Sequence, residues 1–436
     1  MPAKASPQAE TLPQGLSRFH LENGFLLLAR ESRENPTVSL SGSVAGGSLL
    51  DATGRRGSSA LVASLLLRGT KMRSWEGIAR ELEDRGMMLG FQPGRENASF
   101  AGRCLAEDMQ ALLTLLAEVL RHPAFAPEQV ELVRRAIDQD ILRSEDETFD
   151  NAYYTGRDLL YGEGHPYAGR TSGTHESLAS ITAGDLISYH ELSFRPGNTI
   201  LAAVGDVQPE ELRERVESLL GDWQGEGTPL DALLPGSPEA QPRPRGRVEL
   251  PIANKNNATL LAMRPGLSRD SPDYHAALLA NHIFGGDFMS RLNQRLRVRE
   301  GLTYGAGSFM NAGRGAGPWN LVAQVAPGQI DAAEKILLAE WARFAEKGVD
   351  EQELARGKAF LTGNHPVRLH SPMALAGALT DIAFYGLDYR LIEDFPAQID
   401  ALTLEDVNNA ACRHFARERY VLLAAGSLRE PPAAGP

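Results

Sequence analysis

Apolar residues recur along this chain in two rhythms. Short continuous or alternating runs at Phe25–Arg30, Thr37–Val44 and Ala98–Cys104 predict strands. Apolar positions returning every three or four residues predict helices over Ser58–Leu67, Trp75–Asp84, Ala106–Leu120 and Pro127–Arg143. Farther on the same succession returns, with strands at Thr259–Met263 and Trp319–Val325. Helices are predicted there at Tyr274–Ile283, Gln329–Lys347 and Asp350–Thr362. Strands and long helices mixed in this way predict an α+β sandwich in each half.

The two halves repeat in detail. Ile181-Thr182, Asp185-Leu186, Phe194 and the run Ile200–Val204 closed by Gly205 have counterparts in Leu402-Thr403, Asp406-Val407, Phe415 and Val421–Ala425 closed by Gly426. Each pair lies 221 residues apart, as Thr182 and Thr403 do. Each Thr is a natural N-cap for a helix with Asp in its first turn. Two long copies of one unit imply a tandem duplication. Between them, Gly225 to Arg247 holds five prolines, a density that forbids helix and stiffens an extended linker. The expected organisation is residues 1–224, a linker over 225–246, residues 247–430 and a tail at 431–436. Residues 1–15 are expected to be a tail as well.

Composition narrows the function. With 42% hydrophobic and 23% charged residues the chain is globular. A formal charge of −12 argues against nucleic acid and anionic membrane as partners. No apolar run approaches a membrane span, and Met1–Gly15 does not look like a secretory signal. The expected location is therefore cytoplasmic, or periplasmic if a signal was trimmed. Two distant cysteines, Cys104 and Cys412, form no disulfide framework or zinc motif and read as structural thiols.

Ten histidines supply no metal pattern. None are spaced i, i+4 on one helix face. His190-Glu191 starts like a zinc motif, but Phe194 stands where the second ligand would be. His365 and His370 are separated by Pro366, which is expected to hold them off a common face. No GxSxG, Walker loop or GxGxxG is present. The glycine-rich Gly313–Gly317 reads as a flexible loop.

Gly57 to Thr70, GSSALVASLLLRGT, resembles the motif helix of the pitrilysin or insulinase family of zinc peptidases, G-x-A-H-x-x-E-H-x-x-x-x-G-T, without a gap. Other segments are similar in order. They are Leu21-Glu22-Asn23-Gly24, Gly46-Gly47-Ser48, Arg121–Phe125, His165-Pro166-Tyr167-Ala168 with Gly173, Arg195–Asn198, and Gly205-Asp206. Over about residues 18 to 428 the chain resembles the bacterial branch akin to mitochondrial processing peptidase. The resemblance implies two homologous halves, each a mostly antiparallel sheet packed with helices, that form half of a clam-shaped chamber.

The motif itself departs from the family. The two His and the Glu fall at Ala60, Ser64 and Ala63, and the further acidic ligand falls at Asp140. Zinc hydrolysis needs imidazole and carboxylate ligands and a general base. Ala has no donor atom, and one carboxylate cannot hold zinc alone. No cofactor is expected here, zinc being expected only in a partner chain.

Ser290 to Tyr304, SRLNQRLRVREGLTY, is similar to the family's S-R-L-x-x-x-L-R-x-x-x-G-L-x-Y segment. The resemblance implies that Arg297 and Tyr304 assist the zinc site of another half or a partner. It also implies that a peptide adds to a sheet edge near Leu89, Gly90 and Phe91 with Ala98, Ser99 and Phe100. Pro93 to Glu96 between these runs are equally the marks of a protected edge. The implied function is a non-catalytic subunit that binds peptide and supplies Arg297 and Tyr304 to a partner bearing H-x-x-E-H. A homodimer is also compatible. The alternative is a structural or assembly protein with this fold and no part in proteolysis.

Overall fold

The computed structural model describes residues 12–162, 164–228, 234 and 246–428. Most of the linker expected over 225–246, namely 229–233 and 235–245, lies outside the described residues. So do residues 1–11 and the tail at 431–436. Residues 12–15, expected to belong to a tail, are instead placed. Leu16 N–H donates to Pro13 O at 3.1 Å, and Leu12 packs against a buried cluster.

The strands β1 (Leu16–His20), β2 (Leu26–Glu31), β3 (Thr37–Ala45), β4 (Met88–Pro93), β5 (Asn97–Leu105) and β6 (Thr199–Gly205) form one sheet in the order β1-β2-β6-β3-β5-β4. The strands β7 (Arg247–Pro251), β8 (Ala258–Pro265), β9 (Thr303–Met310), β10 (Pro318–Val325) and β11 (Val421–Gly426) form a second, in the order β7-β11-β8-β10-β9. Apart from β1, which has no counterpart, the five strands β2-β6-β3-β5-β4 match β7-β11-β8-β10-β9 in order. In each, one parallel pair, β2 with β6 or β7 with β11, is followed by antiparallel neighbours. The expected α+β architecture of two similar halves is therefore present, and each sheet is mostly antiparallel.

The first half carries helices α1 (Ser58–Leu65), α2 (Trp75–Asp84), α3 (Met109–Arg121), α4 (Pro127–Asp146), α5 (Thr148–Tyr161), α6 (His175–Ser180), α7 (Ala183–Ser193) and α8 (Pro209–Leu220). The second carries α9 (Tyr274–Asn281), α10 (Ile330–Lys347), α11 (Glu351–Leu369), α12 (Pro372–Tyr385), α13 (Leu391–Ala401) and α14 (Leu404–His414). The duplicated Thr and Asp do what their spacing predicted. Thr182 and Thr403 cap α7 and α14, each in a reciprocal capping box with Asp185 or Asp406. Pro366 does not end its helix. It lies inside α11, and the helix runs on to Leu369 with that one N–H missing from its ladder. His365 and His370 are five apart along it, a spacing that keeps them off a common face.

Each sheet is covered by its own helices on one face and by a helix of the other half on the opposite face. Helix α5 lies on β8 and β11, where Ala152, Leu160 and Tyr161 meet Leu261, Met263 and Leu423. Reciprocally, α12 lies on β3 and β6, and Ala376, Leu379 and Ile382 meet Leu28, Ala202 and Val204. Gly156 permits the first approach. A Cβ there would stand 3.2 Å from Leu423 Cδ1 and 3.3 Å from Met263 Cε. The exchange buries apolar surface on both faces of both sheets, so the halves stabilise one another.

Candidate functional site

Helix α1 is set by its first turn. Gly57 takes φ 99°, a left-handed conformation that glycine adopts freely. Asp51 then reaches over the helix start, accepting from Gly57 N and Ser59 N, each at 2.8 Å, and from Ser59 Oγ at 3.2 Å. Burial pushes the Asp51 carboxyl up to about 6, against the pull of these bonds and of Arg56.

The sign of the linkage follows. The folded chain holds a proton that the unfolded chain has released above its ordinary value near 3.8. Between about pH 4 and pH 6, stability therefore falls as pH rises. Asp51→Asn removes this titration. Wild type is expected to lose about 1–2 kcal/mol relative to that variant from pH 4.5 to pH 7, read by urea unfolding at both values. A constant difference between the two proteins would refute the assignment.

Along α1, Ala60 and Ala63 are each 2% exposed and Ser64 is half-buried. The helix packs against α4, α7 and β4. Small side chains suit that crowding, and they offer a metal only the Ser64 hydroxyl. Asp140 on α4 is exposed and ion-paired to Arg143 at 2.9 Å. Among the described residues no group of three or more His, Cys, Asp or Glu could hold a metal ion. The residues present do not fit zinc.

The histidines have other work. His190 is buried, donates from Nε2 to Leu120 O at 2.9 Å and stacks on Phe194, and burial draws its pKa down to about 4. His175 pairs with Asp138, with Glu145 at 3.6 Å, and the hydrogen bond to Asp138 raises its pKa.

The sheet edge is narrower than the sequence reading had it. Ala98, Ser99 and Phe100 lie on β5, which is paired with β3 on one side and β4 on the other. Their backbone groups are already engaged, so they cannot take an added strand. Strand β4, with Leu89, Gly90 and Phe91, is the last in its sheet and offers the free edge. Leu89 and Phe91 turn inward, while Met88, Gly90 and Gln92 are exposed.

Arg297 and Tyr304 sit on two backbone irregularities. Arg297 lies in a π-helical segment, Gln294–Arg299, closed by Leu302 N–H to Leu296 O at 2.9 Å. It is exposed, with its guanidinium 4.5 Å above the Phe288 ring. Tyr304 follows at the start of edge strand β9. Opposite β10, Gly305 pairs with Gln324 and Thr303 with Val325, so Tyr304 is the extra residue of a β-bulge. The bulge throws it outward, and it is 91% exposed.

Comparison with known proteins concerns the family and the fold. Residues 27–157 match the model of the insulinase family, peptidase family M16, and residues 180–361 match that of the peptidase M16 inactive domain. The chain belongs to the M16 family. A crystal structure of a peptidase M16 inactive domain from Pseudomonas fluorescens superposes with a TM-score of 0.86 at 26% identity, covering 95% of this chain and 99% of that one. A zinc protease of Streptomyces coelicolor, itself uncharacterized, is 25% identical over 85% of this chain and 80% of its own. A protein of Helicobacter pylori named a non-peptidase homolog is 24% identical over 85% and 84%.

This M16 chain also holds a buried polar network that the sequence reading missed. The Gly313–Gly317 segment is not a free loop. Glu96, at the β4–β5 turn and 6% exposed, accepts from Arg314 N at 2.9 Å and from the Tyr167 hydroxyl. Gly315 N–H donates to Tyr167 Oη at 2.7 Å, and Tyr161 Oη donates to Ala316 O at 2.9 Å. A Cβ on Gly313 would stand 2.5 Å from Glu96 Oε1, so any larger residue would displace the carboxylate. Beside it, Arg95 donates to Pro166 O and Ala168 O at 2.9 Å and to Gly169 O at 2.7 Å. Of the charges expected to protect an edge, Glu96 instead fastens the two halves together, and Arg95 ties the hairpin tip to residues 166–169 of its own half. Two adjacent charges at a hairpin tip were the available signal.

Proposed function

We propose that this chain is the non-catalytic subunit of an M16 zinc peptidase. It presents Arg297 and Tyr304 to the H-x-x-E-H site of a partner chain and takes extended peptide along β4. The supporting observation is the contrast between two places in one molecule. Helix α1 carries no zinc-binding donor set at Ala60, Ala63 and Ser64, whereas a π turn and a bulge both project free donors outward. A guanidinium fork and a phenol suit a peptide carbonyl and its developing oxyanion. Loss of ligands and general base at these positions accounts for a chain without hydrolysis of its own. The matches to an inactive domain and to a non-peptidase homolog favour the same reading.

Assembly without proteolysis is the second reading. Its specific support is the exposed apolar surface around Arg297, made of Phe288, Met289 and Val298, which an interface would cover. No helix among the described residues is long and apolar enough to cross a membrane. Co-expression with an H-x-x-E-H chain, followed by turnover of the complex with native and altered Arg297, separates the two readings.

A further inference from the structure

A pocket of about 380 Å³ opens in the second half beside the π-helical segments His282–Gly286 and Gln294–Arg299, α10 and the first turns of α11. Its walls carry both signs of charge, but the acids are spoken for. Arg291 Nε donates to Glu353 Oε1 at 3.0 Å, Arg295 pairs with Glu340 at 3.5 Å, and His282 with Asp287 at 3.4 Å. Asp350 caps α11, accepting from Glu353 N at 2.8 Å. Three arginines remain, Arg299, Arg343 and Arg356, and none of them has an ion pair or hydrogen bond among the described residues.

A second observation points inward. Ser290 also lines the pocket, is 2% exposed, and its Oγ has no hydrogen-bond partner. A buried hydroxyl left unpaired is costly unless something arrives to bond it. In a chain of formal charge −12, three unpaired guanidinium groups around one such hydroxyl are not explained by solubility.

We propose that this pocket binds a phosphate-type dianion, gripped by Arg299, Arg343 and Arg356 with Ser290 Oγ donating to it. A single carboxylate would neutralise only one of the three cations. A phosphate or phosphomonoester meets two and accepts several N–H bonds at once. The anion would bridge the π-helical segment of Arg299 to α10 and α11, which carry Arg343 and Arg356.

The test is thermal melting of the full chain in inorganic phosphate, against chloride at equal ionic strength. The melting temperature is expected to rise with phosphate to a plateau that chloride does not reproduce. Arg343→Gln and Arg356→Gln are each expected to raise the half-saturating phosphate roughly tenfold, and Ser290→Ala by a few-fold. These arginines are exposed, so the Gln variants should fold as wild type does. Glycerol phosphate as a second probe tells the source: tighter binding than phosphate indicates an ester ligand, weaker binding the free ion, and either upholds the site. An equal response to chloride, or a double Gln variant that responds to phosphate like wild type, overturns it.

Discussion

Arg297→Ala is expected to cut turnover of the assembled peptidase roughly a hundredfold, with assembly unchanged. The magnitude is that of one lost donor to a developing oxyanion, about 10²–10³ in kcat. The stability of this chain should move by less than about 0.5 kcal/mol, because Arg297 is exposed and its side chain, among the described residues, is seen only against Phe288. Tyr304→Phe removes a hydroxyl from a residue already 91% exposed, so it too should spare the fold while lowering turnover. The readout is steady-state kinetics of a complex with an H-x-x-E-H partner, alongside its elution volume. Intact assembly with unchanged turnover would move the chain to the assembly reading.

The second large effect concerns the junction of the halves. Glu96→Ala strands two buried donors, Arg314 N–H and the Tyr167 hydroxyl. Each unpaired buried donor costs about 1–3 kcal/mol, so a loss of about 2–5 kcal/mol is expected in urea unfolding. Glu96→Gln keeps an acceptor oxygen and should cost less, and Tyr167→Phe, which removes the hydroxyl as well, should fall between. A Glu96→Ala chain within about 0.5 kcal/mol of wild type would show that the network is incidental. Because Arg314 follows the second half's Gly313, the loss should also loosen the fit between halves. Faster amide exchange in residues 313–317 would report that locally.

Much of the fold was legible in the sequence because each half repeats local rules. Trp75–Asp84 is a helix with the predicted ends, Thr37–Val44 and Ala98–Cys104 are strands, and both Thr caps operate as their spacing implied. Five helices escaped notice, α5, α6, α8, α12 and α13, and two of them, α5 and α12, have apolar faces that meet the other half. In α5 a glycine and several polar residues obscure the period, and Gly156 makes sense only against Leu423 and Met263. In α12, apolar and small residues occupy several faces at once, and its target is a sheet formed some 170 or more residues earlier.

The departure at Ala60, Ala63 and Ser64 was legible once the family resemblance set the frame, since a missing donor needs no geometry. What set Arg297 and Tyr304 apart was irregular backbone, a π turn and a bulge, which no apolar pattern encodes. The status of β5 as an inner strand depends on sheet order. The role of Glu96 depends on a segment more than 200 residues away. Both are long-range facts that spacing along the chain does not carry.

Elemental analysis of the purified chain, without added metal, addresses the proposed inactivity of its own site most directly. A non-catalytic subunit should carry close to no zinc, with metal appearing in the complex in proportion to the H-x-x-E-H partner. About one tightly held zinc per chain would contradict that. It would mean that Asp140 and other donors form a metal site despite Ala60 and Ala63.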